Sequence, residues 1–162
     1  MTERKGSGGF TMVEMMVILG IVAILALMAL PSYQDKIVRD QIAEALPLAD
    51  IAKAPVAAAW GSTQPFPADN AAAALPPAEK IVNNFVSAVA IQNGAIHITF
   101  GNRVNNQIKG KVLTLRPAVV EDAPIVPVTW VCGAAPAPDK MTVKGENRTN
   151  IQPAFLPLRC RA

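Results

Sequence analysis

The sequence predicts an α+β fold: a long N-terminal α-helix packed on a four-stranded antiparallel β-sheet, with a C-terminal disulfide loop. Three observations carry it. An apolar run from Phe10 to Leu30 leads into a stretch whose apolar residues recur at helical spacing. From Asn84 the period becomes that of strands, with Asn93-Gly94 between two of them as a hairpin signal. The only two cysteines, Cys132 and Cys160, lie near the C-terminus. With 162 residues, the chain has room for one modest domain beside its N-terminal segment.

Residues 1–9 read as a short polar leader carrying Arg4 and Lys5 and ending in Gly8-Gly9. Residues 10–30 form the apolar helix, long enough for the roughly 20 residues that cross a bilayer. Glu14 is its only charge. A carboxylate near the centre of such a helix costs roughly 2.5–3.5 kcal/mol on insertion scales, so a chain that keeps one uses it. Three readings compete. A secretory signal peptide needs small residues before the cut, and a cut after Ala29 puts Leu27 where a small residue belongs. A plain uncleaved anchor, with Arg4 and Lys5 on the cytoplasmic side, explains length and topology but neither Gly8-Gly9 nor Glu14. A cleaved, assembling anchor explains all of them. Gly20, Ala23, Ala26 and Ala29 recur along the run, suited to close helix approach or simply to helix formation. Pro31 removes a backbone donor and predicts a kink.

Residues 31–60 continue as an amphipathic helix. Val38, Ile42, Ala45, Ala49 and Ala52 share one face, while Asp35, Lys36, Arg39, Asp40 and Glu44 lie largely away from it. Pro47 and Pro55 predict a bend or interruption near one of them. Residues 61–84 form a turn-rich connection. Residues 85–132 hold the sheet: Phe85–Ile91, Ala95–Phe100, Lys111–Arg116 ending at Pro117, and Ile125–Cys132 with Pro127 at its start or edge. Residues 133–162 are rich in proline and include Cys160. Behind an exporting N-terminal segment a disulfide is expected of the two cysteines, worth roughly 3–4 kcal/mol for a loop of this size, with two free thiols the alternative. Aromatic residues are only 5% of the chain, so the core rests on aliphatic side chains and benefits from such a staple.

Composition excludes several functions. A net charge of +3 is too small for a dedicated nucleic-acid binder. His97, the only histidine, alternates with Ile96 and Ile98 and reads as a solvated strand position rather than a base. No cofactor or metal site is expected, and the cysteine spacing is not that of a zinc site. Asn147-Arg148-Thr149 fits a glycosylation acceptor by pattern alone. Lys140, Lys144, Arg148, Arg159 and Arg161 surround the C-terminal region. They read first as a solvated surface, and second as a contact for DNA or a host surface.

Residues 8–33, GGFTMVEMMVILGIVAILALMALPSY, resemble the prepilin motif of type IV pilins and related pseudopilins. Thr11-Met12-Val13-Glu14-Met15-Met16 stands where Thr-Leu-Ile-Glu-Leu-Met is common in that family. Residues 95–101, 108–115, 130–132 and 156–160 echo the strand and C-terminal patterns of major pilins, so the resemblance spans most of the chain. It implies a precursor cut between Gly9 and Phe10 by a prepilin peptidase, then N-methylated at Phe10. It implies that the Phe10 amine of one subunit pairs with Glu14 of another, and that Cys132 and Cys160 bound an exposed loop. The implied route is a single-pass inner-membrane precursor with a cytoplasmic N-terminus, handed to the pilus assembly machinery and built into an extracellular homo-oligomeric filament. Adhesion, twitching motility and DNA uptake are the roles such filaments serve. A pseudopilin of a type II secretion system or a minor pilin is the alternative. A membrane-anchored enzyme, a third class, lacks candidate residues.

Overall fold

The computed structural model describes residues 9–62 and 65–162, with the backbone alone at 30–32. Of the predicted leader only Gly9 falls within that range. The chain divides into two compact units, Met1–Asp35 and Lys36–Ala162, each described here by itself.

In the first unit the backbone enters helix α1 (Met12–Ala45), which supplies all of that unit's regular structure among the described residues. The helical assignment runs through Pro31. Among the described residues, the first member of the apolar core in the chain is Val38.

The second unit begins with the remainder of α1. It stops at Ala45, two residues before Pro47, whose ring and missing N–H do not fit an α-helix interior. A short 3₁₀ turn, Leu46–Ala49, accommodates Pro47 near its start, where a missing N–H removes no bond. Helix α2 (Asp50–Ser62) follows and carries Pro55 in its interior. The predicted interruption is therefore at Pro47. The predicted face is the one that packs: Val38, Ile42, Ala45, Ala49, Ala52 and Val56 are fully buried, and Trp60 nearly so.

The sheet has strands β1 (Val86–Gln92), β2 (Ala95–Phe100), β3 (Val112–Val119) and β4 (Thr129–Cys132), antiparallel and in that spatial order. Asn93 and Gly94 both take positive φ, 48° and 82°, as a two-residue hairpin turn requires. Ile96, Ile98, Phe100, Leu113 and Leu115 alternate onto the core face with the helical residues.

Three details differ from the sequence reading. Strand β3 does not end at Pro117 but pairs Pro117 with Trp130 and continues to Val119. Lys111, two steps before Leu113, accepts a bond from Phe100 of β2, and the last β2 pairing is at Leu115. Pro117 faces the same edge two residues beyond, so its missing N–H falls where β2 has no partner to offer. A short fifth strand, β5 (Thr142–Val143), pairs with Ala118 and Val119. Strand β4 starts at Thr129 rather than Ile125, because Pro124 and Pro127 interrupt the ladder and residues 120–126 instead make turns.

A fourth correction concerns His97. It is 5% exposed, not solvated. Its Nδ1 lies 2.9 Å from Thr114 Oγ1, which also accepts the Arg148 N–H at 3.0 Å. Residues 145–149 of the C-terminal region thus cover the outer face of the sheet, and Gly145 lies so close to Ala95 that a Cβ would meet it at 2.7 Å.

Candidate assembly surface

Thr11, Met12, Val13 and Glu14 form a reciprocal cap. Thr11 is the N-cap, and the Glu14 N–H donates to its Oγ1 at 3.3 Å. Glu14 reaches back, and its Oε2 accepts both the Thr11 N–H and the Thr11 hydroxyl at 2.8 Å. This is the Ser/Thr-x-x-Glu capping box, which satisfies donors that a helix start leaves open. The spacing was present in the sequence, but the sequence reading assigned Glu14 a partner in another subunit and missed its partner three residues away. Glu14 Oε1 makes no hydrogen bond among the described residues.

Beyond the cap, the apolar side chains of α1 face outward on every side. From Met12 to Met28 its large apolar residues are 41–87% exposed, and Phe10 ahead of them is 73% exposed. A helix apolar all round belongs inside a membrane or among other helices. This stretch is long and apolar enough to cross a bilayer. A Cβ placed on Gly9 or on Gly20 meets nothing within 4 Å, so no contact among the described residues requires glycine at either position.

Cys132 and Cys160 form a disulfide with Cα atoms 4.5 Å apart, enclosing a sequence separation of 28. It ties the last residue of β4 to a 3₁₀ turn, Leu158–Cys160. Gly133, at φ 58°, lies against this bridge, and a Cβ there would meet the Cys160 carbonyl oxygen at 2.6 Å.

The cations around this region do not form one free patch. Lys144 pairs with Glu121, and Arg148 with Glu146 at 3.0 Å. Arg161 donates to the carbonyls of Leu156 at 2.9 Å and Ala154 at 3.2 Å, and Arg39 of α1 donates to the same Ala154 carbonyl at 3.0 Å. Arg161 is thus a clamp on the C-terminal turn. Lys140 and Arg159 alone of the five make no side-chain bond among the described residues.

The connection between α2 and β1 has a role that its composition did not reveal. Asn70 donates to the carbonyls of Pro76 and Val89 at 3.0 Å and accepts the Ile91 N–H at 2.6 Å. It occupies the open edge of β1 as a strand would, which protects that edge from pairing with another chain.

Two family models match the chain. The pilin (bacterial filament) model matches residues 38–161, and the prokaryotic N-terminal methylation motif matches residues 4–30. The chain is 33% identical to a fimbrial protein of Neisseria meningitidis serogroup B over 94% of its own length and 93% of that protein's. It is 36% identical to the type IV major pilin protein PilE1 of Neisseria gonorrhoeae, over 94% and 86% of the two chains. It is 33% identical to the fimbrial protein EcpC of Eikenella corrodens, over 94% and 90%.

Proposed function

This chain belongs to the type IV pilins, structural subunits that assemble into a pilus filament, and on that premise we propose how its N-terminus is made and used. A prepilin peptidase cuts between Gly9 and Phe10, and the new Phe10 amine is N-methylated. Gly9 supports this reading because no contact among the described residues needs it to be glycine. A backbone bare of side chain is what an extended substrate offers to a protease cleft. The cut leaves the apolar helix in place as an anchor, with Arg4 and Lys5 holding the precursor's N-terminus on the cytoplasmic side.

The observation that carries the proposal is the all-round exposure of the helix behind a capped glutamate. In the inner membrane lipid covers those side chains, and in the filament the helices of neighbouring subunits replace it. Glu14 Oε2 holds its own helix start, and Oε1 is left to receive the Phe10 amine of an incoming subunit. Two charges meeting in an apolar bundle attract strongly, and either left alone is costly, so the pair sets the register between subunits. Pro31 gives the helix a point of bending during this transfer. The pilus assembly machinery of the inner membrane carries out the transfer. The filament acts by structure, not as an enzyme, and adhesion, twitching motility and DNA uptake are the roles proposed for it.

Mass spectrometry of the mature chain should find it beginning at a methylated Phe10, and any other first residue would contradict the processing. Glu14→Ala should be processed normally yet yield few or no filaments by electron microscopy. Normal filament yield from that variant would remove Glu14 from assembly.

A further inference from the structure

A cleft of about 330 Å³ opens where the 3₁₀ turn at Pro47 interrupts the helical line. Leu46, Pro47, Leu115 and Trp130 give it an apolar lining, and Arg159 stands in it without a partner among the described residues. Asp50 and Lys53, also in the lining, pair with each other at 2.7 Å. The cleft therefore carries one uncompensated positive charge. Beside Arg159, Leu158 is 82% exposed and extends the apolar surface around the cleft. At this size the cleft is at the small end of ligand pockets, roughly 300–1,000 Å³, and suits one or two side chains.

The chain also carries a projection of complementary chemistry. In the turns of residues 120–126, Ile125 is 92% exposed, beyond any other large apolar side chain of the second unit. Asp122, exposed in the same turns, has no ion pair among the described residues, while its neighbour Glu121 is engaged by Lys144. The projection therefore carries one uncompensated negative charge beside an uncovered isoleucine. It leaves β3 five residues beyond Leu115, about 17 Å along the strand, so it is separate from the cleft.

We propose that the projection of one subunit, through Ile125 and Asp122, docks into the cleft of a neighbouring copy, against Trp130 and Arg159. The proposal rests on the filament reading. Two different surfaces of one chain that fit each other make a head-to-tail contact, and repetition of such a contact builds an open helical filament. The Asp122–Arg159 pair is a small matter at a free surface, but it gains where docking removes water and where every subunit repeats it.

The full-length chain is tested in its own filament-forming host with Asp122→Arg, Arg159→Glu and the two combined. Ile125→Ala is a fourth variant, and sedimented filament is measured against total subunit. All three positions are exposed, and thermal unfolding of the detergent-extracted subunit should match that of the unaltered chain. Each single reversal should lower sedimented filament by about fivefold or more, and the double reversal should restore it to within about twofold, as coupling between contacting residues requires. Ile125→Ala should lower it as well. Single reversals without effect, or a double reversal that fails to restore, overturn the contact while filaments from the unaltered chain keep the filament reading intact. An unaltered chain that forms no filament overturns both. Loss of DNA capture at Arg159→Glu with full filament yield overturns the contact and gives Arg159 to a nucleic-acid surface.

Discussion

His97 shows how a single side chain can make this domain sensitive to acid. Burial beneath the C-terminal region holds its pKa below the ordinary histidine value, and the nearby Arg148 guanidinium adds to the shift, with Glu146 acting against it. Its Nε2 is buried without a partner, so the N–H of the imidazolium there would find no acceptor. The folded state thus holds His97 neutral, whereas the unfolded chain protonates it near about pH 6.5. Above that pH both states are neutral and stability is complete. As the pH falls below it the unfolded chain binds the proton first, and stability is lost until the lower folded pKa is reached. Thermal unfolding should therefore show a midpoint that declines from about pH 7 to pH 5, and His97→Leu should flatten that decline. An unchanged slope in the variant would assign the acid sensitivity to other groups.

Among the elements, the edge of the sheet depends on a side chain more than on a strand. Asn70 donates both its amide hydrogens and accepts one bond, all with backbone partners along β1's edge and the connection before it. Replacing it with alanine strands the Ile91 N–H and the Val89 carbonyl in a buried setting. At about 1–3 kcal/mol for each of these two unsatisfied groups, Asn70→Ala should cost roughly 2–6 kcal/mol in chemical unfolding. A loss under about 0.5 kcal/mol would mean that water replaces the amide. Asn70 was illegible in the sequence because its partners lie along a strand about 20 residues away and its own segment reads only as turn-rich. The helical face from Val38 to Ala52 was legible, since burial against a sheet imposes a local period, and so was the Asn93-Gly94 hairpin, since positive φ selects those residues. His97 was misread for the opposite reason. Alternation predicts that it faces away from the core, and it does, but a segment some 50 residues later covers that face. Glu14 was singled out correctly as an unusual charge. Its cap to Thr11 was equally local and was overlooked in favour of the longer-range role.

At the scale of the whole molecule, the division of labour falls near Asp35. Among the described residues, every buried side chain of the core lies at Val38 or beyond, together with the disulfide, the Asn70 clasp and the ties of Arg39 and Arg161 to the C-terminal turn. The described apolar side chains before it, from Phe10 to Met28, are exposed. Removing residues 1–35 should therefore cost the domain none of its packing while removing the surface that requires lipid or neighbouring helices. The chain of residues 36–162, exported to an oxidising compartment, should be soluble without detergent, sediment as a monomer and unfold cooperatively. In it, reduction of the Cys132–Cys160 bridge should lower stability by roughly 3–4 kcal/mol, the loop-closure value for a span of this length. A truncated chain that aggregates or melts without cooperativity would show that the domain needs residues 1–35 to fold, and would place the boundary between anchoring and folding nearer the N-terminus than the core residues do.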